Sequence, residues 1–280
     1  LGHNRIPPCR IAPMMLGAYC VSQKATMTMT DDWSTNEVTA PVPRVLDDGE
    51  ALLVAEDIGV RASWGHIYGP TSLRVAEGGV TVLVGSGGRG RTALLLTLAG
   101  RMKPTSGSLT AFGRRNDARH LFARAAIADI DEVDGIEQAI RVRDVVTEQI
   151  RWHAKWYKWV RQARQEDLER ICAPVFGDLS LPSMDAFVEE LPELTASLFR
   201  IAVANVARPP LLVVGGVDRL ARIESTRILT ERLVDLGRNQ TVVTADVNGV
   251  HAGIGVREAI LVDNLTDQEF VKLEQQERTL

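Results

Sequence analysis

Residues 80–92 read VTVLVGSGGRGRT, and within them Gly85, Gly90 and Thr92 fit the pattern G-x-x-x-x-G-K-[ST], with Arg91 in the lysine position. Residues of these types at this spacing can hold a phosphate. Gly85, Gly87, Gly88 and Gly90 permit positive φ angles and close backbone approach, so successive N–H groups can curl around an anion. Ser86 and Arg89 complete the loop, and the positive end of the following helix points at the same place. Thr92 offers a hydroxyl to a phosphate-bound Mg²⁺. Arg91 keeps the charge of the usual lysine but exchanges a compact ammonium for a planar, bulkier fork. Attraction for phosphate survives that exchange better than the fit around the β- and γ-phosphates. The plainer alternative is a glycine-rich strand-to-helix turn that binds nothing.

The elements that must position this loop follow from the hydrophobic pattern. Ala51 to Val60 and Thr71 to Val75 read as strands joined by the turn-rich SWGHIYGP, and Glu77-Gly78-Gly79 turns into a strand ending at Val84. A helix from Thr92 to Met102 ends at KPTSG, before a short strand from Ser108 to Phe112. A polar helix (Asp117 to Arg124) and a strand (Ala125 to Ile130) come next, then a long helix or helix pair between Asp144 and Cys172. Trp152, Trp156 and Trp159 recur there at i, i+4, i+7, a spacing that places them on one helix face, either packed in the core or presented for docking. The apolar helix Leu194 to Val206 leads through Arg208-Pro209-Pro210 to Leu211–Val214, a wholly apolar run of the kind a central parallel strand needs. A helix from Ser225 to Leu236, strands Thr241–Thr244 and Ala259–Val262, and an acidic C-terminal helix complete the pattern.

Composition narrows the function. With 280 residues, 45% of them hydrophobic, the chain can bury a full core. Its net charge of -4 lacks the basic footprint of a nucleic-acid-binding protein. Cys9, Cys20 and Cys172 have no metal-ligand spacing and suggest no disulfide framework, so a reducing compartment is expected. Residues 1–46 lack periodicity and read as a disordered segment. Ile11 to Val21 after Arg5 and Arg10 has a trace of a signal peptide, but an over-extended translation start ahead of Met27 and Met29 is the blander explanation.

Over roughly residues 50–265 this order resembles the ATP-binding cassette subunits of ABC transporters. LLLTLAGRMKPTSGSLTAFG (94–113) is similar to the family's run after the phosphate loop, and RIAVANVARPPLLVV (200–214) to the link between its signature helix and Walker B strand. The resemblance implies an α/β fold: a P-loop NTPase-like core with a mainly parallel central sheet, an N-terminal antiparallel β part and a helical insert at about 144–200. The cassette would span 47–265, with 266–280 as a tail. It implies ATP and Mg²⁺ as ligands, Trp64 (or Tyr68) as an adenine platform, and residues 85–92 around the phosphates. It also implies an integral membrane permease subunit and a second nucleotide-binding subunit as partners, no nucleic acid, and a cytoplasmic location against the inner face of the cell membrane.

Departures from the family pattern are equally specific. Gly215 and Gly216 stand where the family has the aspartate for Mg²⁺ and the glutamate that activates water. The signature region reads Glu193-Leu-Thr-Ala-Ser197, Ala245 aligns with the switch histidine, and Asp131 or Glu132 replaces a glutamine. Asp218 and Asp246 are the candidate substitutes, against plainer roles as a cap and a strand-end turn. Phosphoryl transfer rests on positioning and electrostatics, so these losses compound and imply weak or absent hydrolysis. The alternative is a P-loop-fold scaffold or regulator without catalysis, docking on a membrane or cytoplasmic partner.

Overall fold

The structure is a computed structural model that describes residues 51–63, 65–130, 139–154, 157, 159–250, 253–262, 272 and 275. All of them lie in one compact unit, 38–280. The readings made for residues 1–46, for Trp64, Trp156, Asp131 and Glu132, and for nearly all of the tail fall outside the described residues.

Two sheets form the frame. Strands β1 (Ala51–Ala62), β2 (Gly65–Ala76), β4 (Ser106–Ala111) and β5 (Arg114–Arg115) make an antiparallel sheet in the order β2-β1-β4-β5. Strands β3 (Gly79–Val84), β6 (Ala125–Ala128), β7 (Leu211–Gly216), β8 (Thr241–Asp246) and β9 (Glu258–Leu261) make a parallel sheet in the order β6-β7-β8-β3-β9. The expected α/β core, antiparallel part and helical insert are therefore all present.

Alternation explains why the apolar runs became central strands. In β7, Leu212 and Val214 enter one core while Leu211 and Val213 enter the other. β8 divides likewise, Val242 to one side and Val243 and Ala245 to the other. Both faces of the parallel sheet are thus covered, which is why these strands show no polar face. One core holds helices α3 (Val142–His153), α4 (Gln165–Phe176), α5 (Glu193–Ala204) and α6 (Ile223–Gly237). The other holds α1 (Arg89–Leu98), packed between the two sheets, and Leu121 of α2 (Ala118–Arg124).

Some elements differ from the sequence reading. The segment SWGHIYGP is no long connection, because β2 begins at Gly65 and pairs with β1 from Ala62↔Gly65 to Ala51↔Ala76. Helix α1 starts at Arg89, three residues before Thr92, since Gly88 takes φ 115 and lets the helix begin within the loop. The region 144–172 is a helix pair. Helix α3 closes at His153, so Trp152 and Trp159 share no helix face. The Thr147 hydroxyl accepts the Ala163 N–H at 2.9 Å, returning the chain along α3. Trp152 is 82% and Trp159 92% exposed, so neither packs in the core.

Candidate functional site

In an open parallel sheet, ligands gather beyond the carboxyl ends of the strands. Here β7, β8 and β3 are neighbours, and their ends are in register: Val84 lies opposite Asp246, and Gly216 opposite Ala245. Loop 85–88 leaves β3 at this edge. The fold therefore brings the glycine loop, Gly215, Gly216, Asp218 and Asp246 to one place.

The loop is shaped by close approaches. A Cβ on Gly85 would lie 2.3 Å from the Val262 carbonyl oxygen. Of the four loop glycines only Gly88 has a positive φ, narrower than the sequence allowed, and a Cβ there would meet nothing within 4 Å. Gly87, Gly88 and Arg89 are exposed, while Ser86 and Thr92 are half-buried. Helix α1 has no side-chain cap and no acidic residue in its first turn. Its leading N–H groups and positive dipole end thus suit an anion.

Arg91 has a partner within the protein. Its Nη1 donates to Asp218 Oδ2 at 3.0 Å, and the two side chains are only 12% and 10% exposed. Asp218 belongs to a 3-10 turn, Val217–Arg219, directly after β7. Its role is more than the helix cap or turn first considered, because it ties that turn to the glycine loop. Its second oxygen, Oδ1, is buried and has no hydrogen-bond partner among the described residues.

The two glycines at the end of β7 mark the space this arrangement occupies. A Cβ on Gly216 would come within 2.4 Å of Asp218 Oδ1 and 2.9 Å of Arg91 Nη2. A Cβ on Gly215 would come within 1.9 Å of the Asp129 carbonyl oxygen. That carbonyl accepts a hydrogen bond from Arg219, while the Asp129 carboxylate pairs with Arg200 at 3.3 Å. A strand-end side chain at Gly215 would meet backbone, and one at Gly216 would meet the Arg91–Asp218 pair.

Asp246 is buried, and its Oδ1 accepts the Asn248 N–H at 2.7 Å, the strand-end turn considered above. Val247, the next residue, reaches Gly87. Tyr68 is corrected outright as an adenine platform. It is 1% exposed beneath α1, its hydroxyl donates to Thr97 at 2.8 Å, and burial pushes its pKa up to about 12. At the start of α5, Glu193 places an acidic side chain in the first turn and accepts the Ala221 N–H at 3.1 Å, and Ser197 is buried, so this helix end is less suited to an anion than that of α1. Cys172 is fully buried and its thiol is pushed up to about 12, which leaves it inert as a nucleophile. Sequence reasoning missed the Arg91–Asp218 pair, which joins residues 127 apart. The only signal was two glycines together at the end of an apolar strand.

A parallel sheet with a glycine loop between an interior strand, β3, and helix α1 defines an α/β protein with a P-loop NTPase-like fold. Residues 68–183 match the family described as ABC transporter. The chain is 28% identical over 198 residues to the Nod factor export ATP-binding protein I of Rhizobium sp. (strain N33), across 68% of this chain and 62% of that protein. It thus spans about three fifths of that relative. It is 36% identical over 66 residues, 24% of this chain and 31% of the other, to the cytochrome c biogenesis ATP-binding export protein CcmA of Agrobacterium fabrum (strain C58). Among solved structures, CbiO1 from Clostridium perfringens, part of the ABC transporter complex CbiONQ, superposes with a TM-score of 0.59 at 16% identity, covering 82% of this chain and 94% of that one. An ABC transporter ATP-binding protein from Pyrococcus furiosus gives 0.57 at 14% identity, covering 75% and 96%. At such identities the superpositions speak for the fold. The match over residues 68–183 and the likeness in fold agree in making this chain similar to the ATP-binding cassettes of ABC transporters.

Proposed function

We propose that the chain is the ATP-binding subunit of an ABC-type membrane transport system, with degenerate catalytic motifs and weak or absent hydrolysis of its own. One observation carries the reading. At the carboxyl edge of the sheet an uncapped, glycine-lined helix start survives, while both strand-end positions for acids are glycines, one closed by the Asp129 carbonyl and the other faced by the ends of Arg91 and Asp218.

The residues present fit phosphate better than they fit a metal. The N–H groups of 85–92 and the α1 dipole would hold the phosphates, with Ser86 and Arg89 at the rim, and Trp64 is the proposed adenine contact. When bound, Mg²⁺ would supply charge neutralisation between phosphates. Thr92 is the side chain positioned to meet it, and among the described residues no group of three or more acidic, His or Cys side chains gathers as an alternative. Asp218 is engaged with Arg91 and Asp246 with its own turn, so neither is placed as a free general base. Catalysis would then come from a second nucleotide-binding subunit. The exposed Trp152 of α3, with Tyr157 and Trp159 between α3 and α4, would supply an apolar surface suited to a permease subunit at the inner face of the membrane. Among the described residues no helix is long and apolar enough to cross a membrane itself.

The same surface favours the second reading, a scaffold or regulator that keeps the fold without the nucleotide. Thermal unfolding with and without MgATP separates the two, because a ligand of the native state at a hundredfold its Kd adds about 2.7 kcal/mol. Stabilisation by MgATP, without Mg²⁺-dependent phosphate release, is the expected result. No stabilisation refutes the nucleotide reading, and steady turnover refutes the degenerate one.

A further inference from the structure

We propose that Asp218 is an internal competitor for phosphate: its carboxylate holds Arg91 and must release it before the loop takes a nucleotide. The inference rests on the phosphate-binding reading of residues 85–92 and adds the residue that sets its affinity.

The contact that occupies the loop's cation comes from another strand. Arg91 sits in the first turn of α1, where its charge would otherwise add to the helix dipole. Its guanidinium instead reaches across to the turn after β7, passing beside Gly87 (a Cβ there would be 3.6 Å from Nη2) and over Gly216. At 3.0 Å and about nine-tenths buried, the Asp218 charge cancels the Arg91 charge with little screening by water. A phosphate arriving at the loop therefore meets the N–H groups without the cation.

The pair is also poorly satisfied. A carboxylate withdrawn from water needs both oxygens engaged to recover its desolvation cost. Here Oδ2 takes one bond, while Oδ1 is buried without a partner among the described residues. Arg91 makes a single-nitrogen contact with it where a two-point fork is the stronger arrangement. A pair built this way holds Arg91 in the absence of ligand, yet yields it to an anion that carries more charge and more acceptor oxygens. Gly216 permits the arrangement, since any side chain there would displace Asp218 or Arg91. The glycines ending β7 and the arginine in the loop are thus two parts of one device: a carboxylate stands two residues beyond Gly216 and faces the loop's own cation.

The test is calorimetric titration of MgATP, and separately of inorganic pyrophosphate, into the full chain and its Asp218→Asn variant. Freed of the competing charge, Arg91 becomes available, and a hydrogen bond to a charged group brings a gain of about tenfold or more in affinity for both ligands. Binding by the variant alone also supports the proposal. Equal or weaker binding by Asp218→Asn, with the unaltered chain binding normally, overturns the proposal and leaves the phosphate-loop reading standing. Absence of binding in both, up to millimolar ligand, overturns both. Should the variant fail to fold by circular dichroism, the unaltered chain decides. The ¹⁵N-labelled Arg91 guanidinium must change its resonance when MgATP is added. An unmoved Arg91 signal, with shifting loop amides, overturns the proposal.

Discussion

Replacing Gly215 by alanine tests whether the strand-end acid is structurally excluded. The added Cβ would lie 1.9 Å from the Asp129 carbonyl oxygen, where ordinary contact begins near 3.4 Å. The gap must therefore open by about 1.5 Å, in a part of the core that tolerates little overpacking. Overpacking costs about 1–3 kcal/mol. Moving Asp129 also disturbs the bond from Arg219 and the pair with Arg200. Losing one such charge-assisted bond costs about 1.5–3 kcal/mol, and the lower backbone entropy of alanine in the unfolded chain returns about 0.5–1 kcal/mol. The expected net loss is about 3 kcal/mol, a fall of about 1 M in the urea midpoint at a slope of about 3 kcal/mol/M. Gly216→Ala, whose nearest neighbours are the ends of the Arg91 and Asp218 side chains, should cost about 1 kcal/mol, because those ends can swing away. Urea unfolding followed by far-ultraviolet circular dichroism measures both. A Gly215→Ala chain within about 0.5 kcal/mol of the unaltered one would refute the reasoning, since the space would then be open to a side chain.

Two further outcomes are expected. Trp152→Ser and Trp159→Ser should each leave the unfolding free energy from urea titration within about 0.5 kcal/mol of the original, because both side chains are largely exposed; a loss above about 1.5 kcal/mol would place them in a core. Asp167 is the capping carboxylate of α4, and the bond from the Arg164 N–H, helped by Arg161, holds its pKa below the usual carboxylate range. A depressed pKa adds stability that is present above the unfolded value and lost as pH falls through the folded one. Asp167→Ala should therefore cost about 1–2 kcal/mol at pH 7, with the difference shrinking below about pH 4. A difference constant from pH 7 to pH 3 would contradict that assignment.

Much of this architecture was legible because its signals are local. The apolar run at Leu211, the glycines after Val84 and the P-T-S-G turn each determine a nearby backbone path, and the structure follows them. Readings failed where distant contacts decide. Tyr68 reads as a free aromatic in a turn-rich segment, yet the β1–β2 hairpin carries it beneath α1. The tryptophan spacing is helical on paper, but a chain returning to Thr147 ends the helix at His153. In the candidate site, the loop glycines and the glycines ending β7 were each visible from the sequence. Their meeting through Arg91 and Asp218 was not, since no pattern in one segment reveals which carboxylate a cation 127 residues away will meet.

The most direct measurement is calorimetric titration of MgATP into the full chain beside its Arg91→Ala variant, with phosphate release followed in the same samples. A phosphate loop without catalytic acids predicts saturable binding, weakened in the variant by both the lost cation and the Asp218 carboxylate it leaves unpaired, and no Mg²⁺-dependent phosphate release. Absence of binding up to millimolar MgATP would contradict the account. So would steady hydrolysis by the chain alone.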